Sequence, residues 1–475
     1  MLALLAAPQV FGFSFYGPIE SWQTTEKNHV DRWFYGAVLR AESDASFAFF
    51  SVGPGGLGYG GTTDLGGSKN LGDEYRLNTP SITYAIDASF YDYFGANGAK
   101  AIDQAMAVLN RLPPVSRTSA DLSEFLTEGN QRVNQRAQAL QLIDLKSTVL
   151  HIMVERMGLF GETHVFDLHD RVAYPGTCNF DYATVIRNFD PVTWEPTRFV
   201  NGTLYTYNIA DLCPAFAEAD AIERIGNTTA FQFTAVATQE GLIYGGYYLN
   251  ITRDDMGGLR YLYRANNFNN ESLPPDAVAS TTTSPWTPVG GTTTNAFRTN
   301  TLALRGGIEK ITFVKTQFDS QFGVGWTPRT VRYSVPIVTN SHLIYQPVQR
   351  RLTQPDIVFR AADLTAGGFN STYRRSSQVV ISNNVPNSSG AGPGAFLPQA
   401  TITFNKAGQV ILNATPFFLD EVTSSTSFQW GSFDGSTNAP IVYPSGTSIS
   451  EIESAVLNSR LNPPPDTSGT YNPLF

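Results

Sequence analysis

Residues 145–159 read LKSTVLHIMVERMGL. Their apolar side chains recur every three or four positions, which predicts a helix that ends at Gly158. We expect this helix to complete a longer helical region, residues 134–159. Its expected apolar stripe is Val149, Ile152, Met153 and Met157. His151 and Glu155 lie four positions apart and therefore share one face, where they form either a hydrogen-bonded pair or part of a metal site.

Two further stretches carry clear patterns. Residues 81–87, SITYAID, alternate as a half-buried strand, and residues 97–111, NGAKAIDQAMAVLNR, follow with the spacing of an amphipathic helix. Residues 252–263 read TRDDMGGLRYLY, and the pattern predicts a short helix at 253–264 that Asp254 or Asp255 caps. The side chains expected to pack inward from that helix are Leu259, Leu262 and Tyr263.

In this order the three stretches resemble the matrixin-like metzincins. SITYAID and the helix after it are similar to the family's opening strand and first helix. Residues 145–159 resemble its zinc helix, HExxHxxGxxH, and TRDDMGGLRYLY resembles its closing-helix signature. The resemblance covers residues 78–264 and implies an α+β domain with a mixed sheet and two long helices.

The chemistry of the zinc helix is missing from this resemblance. His151 occupies the first ligand position and Gly158 the glycine position, but Ile152 replaces the glutamate base. Glu155 and Gly161 stand where the second and third histidines belong. Because catalytic zinc needs about three protein ligands beside an open position, the resemblance implies a scaffold without catalytic residues, metal or cofactor.

A rebuilt metal site is the alternative. The weak candidate ligands are His151, Glu155, His164 and His169, and they would make the chain a diverged secreted zinc metallopeptidase. The competing interpretation is that His151 pairs with Glu155 on the helix while His164 and His169 are surface residues. Zinc content distinguishes the two interpretations.

The 475 residues are too many for one ordinary core. We expect an N-terminal arm with a glycine-rich segment (1–75), a metzincin-like pseudo-protease domain (76–275), a Ser/Thr-rich linker (276–299), a β-rich domain (300–460) and a Pro-rich tail (461–475). The β-rich domain is expected to be an all-β, sandwich-like unit. Its expected strands are Ile308–Lys315, Thr330–Val338, Gln378–Ile381, Ala400–Phe404 and Gln409–Leu412, before a helix at Ile449–Leu457.

Composition narrows the class of partner. Charged residues make up 15% of the chain and the net charge is −9, which argues against nucleic acid. Apart from the N-terminus, no apolar run approaches the roughly 20 residues of a membrane span. The N-terminus, MLALLAAP, is similar to the end of a secretory signal or is an apolar arm of the mature protein. We expect a secreted protein.

In a secreted protein, the cysteines and the Asn-X-Ser/Thr sequons predict covalent modifications. Cys178 and Cys213 are expected to form a disulfide, with two buried thiols as the alternative. The candidate glycosylation sites are Asn201, Asn227, Asn250, Asn270, Asn370, Asn387 and Asn413.

The sequence favours a non-catalytic structural protein, such as the subunit of an extracellular filament or surface layer. The apolar N-terminal segment (1–20) and the tail (462–475) are expected to dock on a neighbouring copy and to build a homo-oligomer or polymer. A monomeric carbohydrate-binding or surface-binding protein, with exposed aromatic side chains stacked on glycans, is the third candidate.

Overall fold

A computed structural model describes residues 30–34, 76–125, 131–159, 166–173, 180–186, 188–194, 197–211, 219–225, 235–237, 244–271, 273–279, 303–318, 326–339, 342–362, 400–405, 410–414, 418–419 and 429–461. The helices in these ranges are α1 (Ala88–Arg111), α2 (Gln135–Ala139), α3 (Leu145–Arg156), α4 (Arg253–Tyr263) and α5 (Ile449–Leu461). A single 3-10 turn, Val115–Arg117, follows α1.

The strands fall on both sides of residue 300. Those before it are β1 (Val30–Phe34), β2 (Ser81–Ile86), β3 (Gln131–Val133), β4 (Leu142–Asp144), β5 (Phe166–Ala173), β6 (Phe180–Ile186), β7 (Phe199–Val200), β8 (Thr203–Asp211), β9 (Ala219–Ile225), β10 (Gly246–Tyr248), β11 (Asn269–Glu271) and β12 (Ala277–Ala279). Those after it are β13 (Ala303–Arg305), β14 (Thr312–Lys315), β15 (Arg329–Thr339), β16 (His342–Leu352), β17 (Ile357–Ala362), β18 (Ala400–Asn405), β19 (Val410–Ala414), β20 (Phe418–Leu419), β21 (Gln429–Ser432) and β22 (Ile441–Val442).

A six-stranded mixed sheet with the order β14-β2-β17-β18-β19-β20 forms the main layer. β2 runs parallel to β14 and β17, and β17 runs parallel to β18, while β19 and β20 complete the sheet with antiparallel pairs. Helix α1 packs on this sheet, and the Phe90 and Phe94 rings lie 5.6 and 5.9 Å from the Phe404 ring. The core cluster joins side chains of β2, α1, α3, β17 and β18.

A five-stranded antiparallel sheet, β11-β13-β15-β16-β12, lies beside the first. Arg350 of β16 connects the two sheets, because its Nε donates to Asp276 Oδ1 at 3.0 Å and its Nη2 donates to Asp356 Oδ1 at 2.7 Å. Asp356 Oδ2 in turn accepts the backbone N–H of Thr83 in β2 at 2.8 Å. The smaller sheets have the orders β1-β6-β5, β7-β8-β9, β10-β3 and β22-β21-β4.

The two predicted domains, 76–275 and 300–460, share this architecture. β2 lies between two strands of the C-terminal region, and the five-stranded sheet combines β11 and β12 with three later strands. The C-terminal strands therefore do not form a separate sandwich in the described part of the chain. The predicted linker contributes β12 to the sheet, and residues 280–299 lie outside the described residues. Sequence patterns carry local periodicity but not pairing partners, which explains the difference.

Residues 134–159 fold differently from the single helical region that we expected. α2 ends before Gln141, whose φ of 56° lies in the left-handed region, and β4 then pairs in parallel with β21. α3 begins only after Asp144 and ends at Arg156, two residues before Gly158, whose φ is 111°. The predicted end at Gly158 lies two residues beyond the observed one, and the predicted start near Asn134 belongs to the separate helix α2.

Other local predictions agree more closely. The predicted helix 97–111 is the second segment of α1, which Gly95 divides at a φ of 62°. The predicted strands at Thr330–Val338, Ala400–Phe404 and Gln409–Leu412 correspond to β15, β18 and β19, and the expected Ile308–Lys315 strand is reduced to β14. The C-terminal helix extends beyond its predicted end, to Leu461. Gln378–Ile381 lies outside the described residues.

The cap of α4 is Thr252 rather than Asp254 or Asp255. Thr252 and Asp255 form a capping box, in which the side chain of each accepts the backbone N–H of the other. The inward packing of this helix is confirmed, because the side chains of Leu259, Leu262 and Tyr263 are all buried.

Candidate functional site

Helix α3 carries the candidate site residues and is buried on most of its surface. Asp144 caps it, and its Oδ2 accepts from the backbone N–H and the hydroxyl of Ser147 at 2.9 and 2.6 Å. Burial raises the pKa of Asp144 to about 6, even though the hydrogen bonds from Ser147 act in the opposite direction. The predicted apolar stripe is buried, and so are Leu145, Leu150 and Val154.

His151 is held on both sides of its ring. Its Nδ1 lies 2.6 Å from the carbonyl oxygen of Val236, and its Nε2 lies 3.5 Å from Glu155 Oε1. A backbone carbonyl only accepts hydrogen bonds, so Nδ1 carries a proton. The side chains of His151 and Glu155 are each 13% exposed.

Glu155 has an altered acidity that suits this pairing. Burial raises the pKa of its carboxyl to about 8, and the positive charge of Arg156 only partly offsets that effect. The carboxyl therefore holds a proton at neutral pH. With Nδ1 of His151 directed at the Val236 carbonyl, Nε2 is the ring nitrogen that faces Glu155 Oε1, at 3.5 Å.

The loop that His151 contacts, Ala235–Ala237, has further anchors. Asp255 accepts the backbone N–H groups of Val236 and Ala237 at 3.0 and 2.9 Å. The Tyr248 hydroxyl donates to the carbonyl oxygen of Ala235 at 2.7 Å. Burial raises the pKa of Asp255, against the effect of the hydrogen bonds that it accepts. His151 and the closing-helix stretch are thus joined through one loop.

The sequence did not reveal this loop. Its contacts use backbone N–H and C=O groups, which every residue type except proline provides in full, so no pattern in Ala235–Ala237 signals them. The only available signal was Thr252 three positions before Asp255, a spacing typical of a capping box.

The donor set at this site does not fit catalytic zinc. His151 and Glu155 are two donors, and the described residues contain no group of three or more His, Cys, Asp or Glu side chains that could hold a metal. His164 lies outside the described residues, and His169 falls within β5.

The modification candidates divide into several groups. Asn201 is only 8% exposed. Its backbone N–H donates to Asp254 Oδ2 at 2.5 Å, and its side-chain Oδ1 accepts the backbone N–H of Asp254 at 3.3 Å. A glycan on Asn201 would disturb this contact, so Asn201 is a poor acceptor. Asn250 is partly exposed, and its Oδ1 accepts the N–H of Ile251 at 2.9 Å. Among the other glycosylation candidates, Asn270 lies in β11 and Asn413 in β19, whereas Asn227, Asn370 and Asn387 lie outside the described residues. The two cysteines of the expected disulfide, Cys178 and Cys213, also lie outside them.

A second candidate site is the distal part of the β15–β16 hairpin. Leu343, Ile344 and Tyr345 are 54, 46 and 65% exposed, respectively. We call these three residues the hairpin patch. Residues 336–347, PIVTNSHLIYQP, contain no Lys, Arg, Asp or Glu. Consecutive exposed apolar side chains without charged neighbours are typical of interaction surfaces.

The comparisons with known proteins give no family. No protein-family model, curated protein or solved structure matches this chain. Within the described ranges, no helix combines the length and the apolar character needed to cross a membrane. The metzincin resemblance remains a prediction that rests on its three sequence stretches.

Proposed function

We propose that this protein is a secreted, non-catalytic structural protein that self-associates, such as the subunit of an extracellular filament or surface layer. Its scaffold is proposed to be an inactivated metzincin-like one. The observation that carries the proposal is the hairpin patch, whose three consecutive apolar side chains are about half exposed or more. A folded protein gains stability when a partner covers such a surface.

The geometry around His151 supports the non-catalytic part of the proposal. Both ring nitrogens face oxygen atoms of the protein, Val236 O and Glu155 Oε1. A metal ligand or general base at this position would have to give up one of these contacts. His151 therefore acts as a structural link between α3 and the loop Ala235–Ala237.

The first experiment measures association and metal content on one sample. We expect sedimentation velocity of the full-length protein to show species that grow with concentration, and elemental analysis to find zinc far below one per chain. Particles with one zinc each and no association would contradict the proposal and favour the metallopeptidase. A monomer that retains a glycan would contradict it in favour of the carbohydrate-binding alternative.

A control variant distinguishes association through the hairpin patch from non-specific association through other exposed apolar side chains. Leu457, on α5, is 57% exposed and lies outside the hairpin patch. Leu457→Lys should leave the concentration dependence unchanged. Loss of association in this variant would show that the self-association does not depend on the patch alone.

A further inference from the structure

The outer edge of β16 presents backbone hydrogen-bonding groups. Gly306 donates to Pro336 O at 2.8 Å, so Pro336 in β15 directs its carbonyl away from β16. Its partner in the register is Tyr345, which therefore directs its own N–H and C=O away from β15. Because these directions alternate along a strand, Leu343 shares this outward orientation.

Other contacts on β16 agree with this assignment. Arg351 lies six positions beyond Tyr345, and its N–H donates outward to Asp276 O at 2.9 Å. β12 then pairs with Val348, Gln349 and Arg350. Pro347 also faces outward but has no N–H, so it marks the limit of regular pairing. Among the described strands, none pairs with the outer edge between His342 and Pro347.

We propose that a second copy of this chain adds antiparallel to this edge, so that β16 pairs with β16 across a two-fold axis at Ile344. This inference rests on the proposed function and names its contact surface. Within the chain, the same edge forms a strand pair with β12 nearer to Leu352, so the edge is already competent for antiparallel pairing. The segment 342–347 contains no Lys, Arg, Asp or Glu and offers no ion pair to a charged partner, whereas an identical segment matches it.

The proposed register provides hydrogen-bond partners for the outward-facing backbone N–H and C=O groups of Leu343 and Tyr345. Leu343 lies opposite Tyr345 of the other copy, and each of these two symmetry-related pairs exchanges two backbone hydrogen bonds. The same pairs bring an aliphatic side chain against an aromatic ring, a favourable cross-strand combination. Ile344 meets its own copy, and His342 lies opposite Gln346. Such a self-complementary surface is what a two-fold interface requires.

The pairing is expected to be weak by itself. A short strand pair covers less than the roughly 1,200 Å² of a standard stable interface. We therefore expect a dissociation constant in the micromolar range or weaker for this contact. A covalent trap is the appropriate test because it accumulates a weak complex.

The trap uses Ile344→Cys in the full-length chain. Opposed residues in a non-hydrogen-bonded pair have Cα atoms about 4.5 Å apart, within the range that a disulfide spans. We expect this variant to form a disulfide dimer under mild oxidation. Leu304→Cys on β13, where Leu304 is 36% exposed, is the matched control, and the unsubstituted chain gives the background from Cys178 and Cys213. Equal trapping of the two variants would overturn the inference.

Charge substitutions test the register without a cross-link. The double variant Leu343→Lys/Tyr345→Lys places like charges opposite each other in both pairs, and we expect its dissociation constant to rise roughly tenfold. Leu343→Lys/Tyr345→Glu places opposite charges in the same two pairs and should restore association. Unchanged association in the first variant, or no restoration in the second, would contradict the register.

The results of these experiments distinguish failure of the β16 contact from failure of the proposed structural function. If the protein associates but neither the trap nor the charge variants respond, the β16 contact is wrong and the structural role stands. If the unsubstituted protein stays monomeric at every concentration, both fail. If hydrogen exchange in dilute monomer shows the Leu343 and Tyr345 amides protected, a segment of the same chain covers the edge, which also overturns the proposal.

Discussion

His151 and Asp255 hold the same short loop, although they lie on different helices. His151 contacts the carbonyl of Val236, while Asp255 accepts the N–H of that residue and of Ala237. The i, i+4 spacing was sufficient to predict the contact between His151 and Glu155. It did not predict the raised pKa of Glu155, because that shift comes from burial by residues distant in the sequence.

The raised pKa of Glu155 predicts a pH-dependent stability. The usual pKa is 4.5 and the folded value is about 8, so between these values the folded chain holds a proton that the unfolded chain releases. The free energy of unfolding therefore falls as the pH rises through this window and levels off above it. Glu155→Gln should reduce this fall, to which the raised pKa values of Asp144 and Asp255 also contribute, and should raise the free energy of unfolding above pH 8 by on the order of 2 kcal/mol.

Denaturant unfolding at a series of pH values across the window measures this effect. Glu453→Gln is the control, because the Glu453 side chain is 51% exposed on α5. That variant should retain the pH dependence of the unsubstituted protein. An equally steep fall in Glu155→Gln would show that Glu155 is not its source.

The edge strand β14 depends on a side chain of α1. The Asn110 amide donates to Phe313 O and accepts the Phe313 N–H, both at 2.8 Å. An asparagine side chain thus takes the place of a neighbouring strand at this position. Covering an edge in this way limits unwanted strand pairing, in contrast to the outer edge of β16.

Removal of the Asn110 amide should destabilise the protein. We expect Asn110→Ala to lower the free energy of unfolding by about 2 kcal/mol, since the N–H and C=O of the buried Phe313 lose their partners. Lys100→Ala, on the exposed side of α1, should change it by no more than about 0.5 kcal/mol. Denaturant unfolding compares the two, and equal effects would contradict this role.

Local patterns predicted some elements well and others poorly. The positions of β2, of the second segment of α1 and of helix α4 follow from apolar spacing and turn residues, which act within a few positions. The expectation that β2 is half-buried was wrong, because strands on both sides and packing on both faces bury it from Ile82 to Ile86. The division of residues 134–159 could not be read in this way. It depends on Gln141 in a left-handed conformation and on the pairing of Leu142 with Gln429, a contact between distant parts of the chain.

The molecule as a whole depends on contacts across residue 300. Arg76 Nε donates to Glu271 Oε1 at 2.5 Å and its Nη2 donates to the Arg305 carbonyl at 2.8 Å, within a buried cluster. Arg350 and Asp356 connect the five-stranded sheet to β2 in the same manner. Loss of one partner in such a buried pair leaves an uncompensated charge, so neither half is self-sufficient.

Fragments 76–275 and 300–461 should therefore fail to fold separately. We expect each to lack the near-ultraviolet circular dichroism of the intact chain, and a mixture of the two to recover part of it. The intact chain, as the reference, should lose its near- and far-ultraviolet signals in one coincident transition. A cooperative transition in either isolated fragment would contradict this expectation and restore the domain boundary expected from the sequence.

The parallel pairing of β2 also has a consequence for the order of events during synthesis. The backbone N–H of Thr83 donates to Asp356, which follows it by 273 positions and is therefore synthesised later. At about 5–20 residues per second, a ribosome takes roughly 14 to 55 seconds to supply that partner. During most of this interval Ile82 and Tyr84, both buried in the finished protein, have no neighbouring strand, because β14 and β17 are both synthesised much later. We therefore expect the nascent chain to expose these apolar side chains until its C-terminal strands are synthesised.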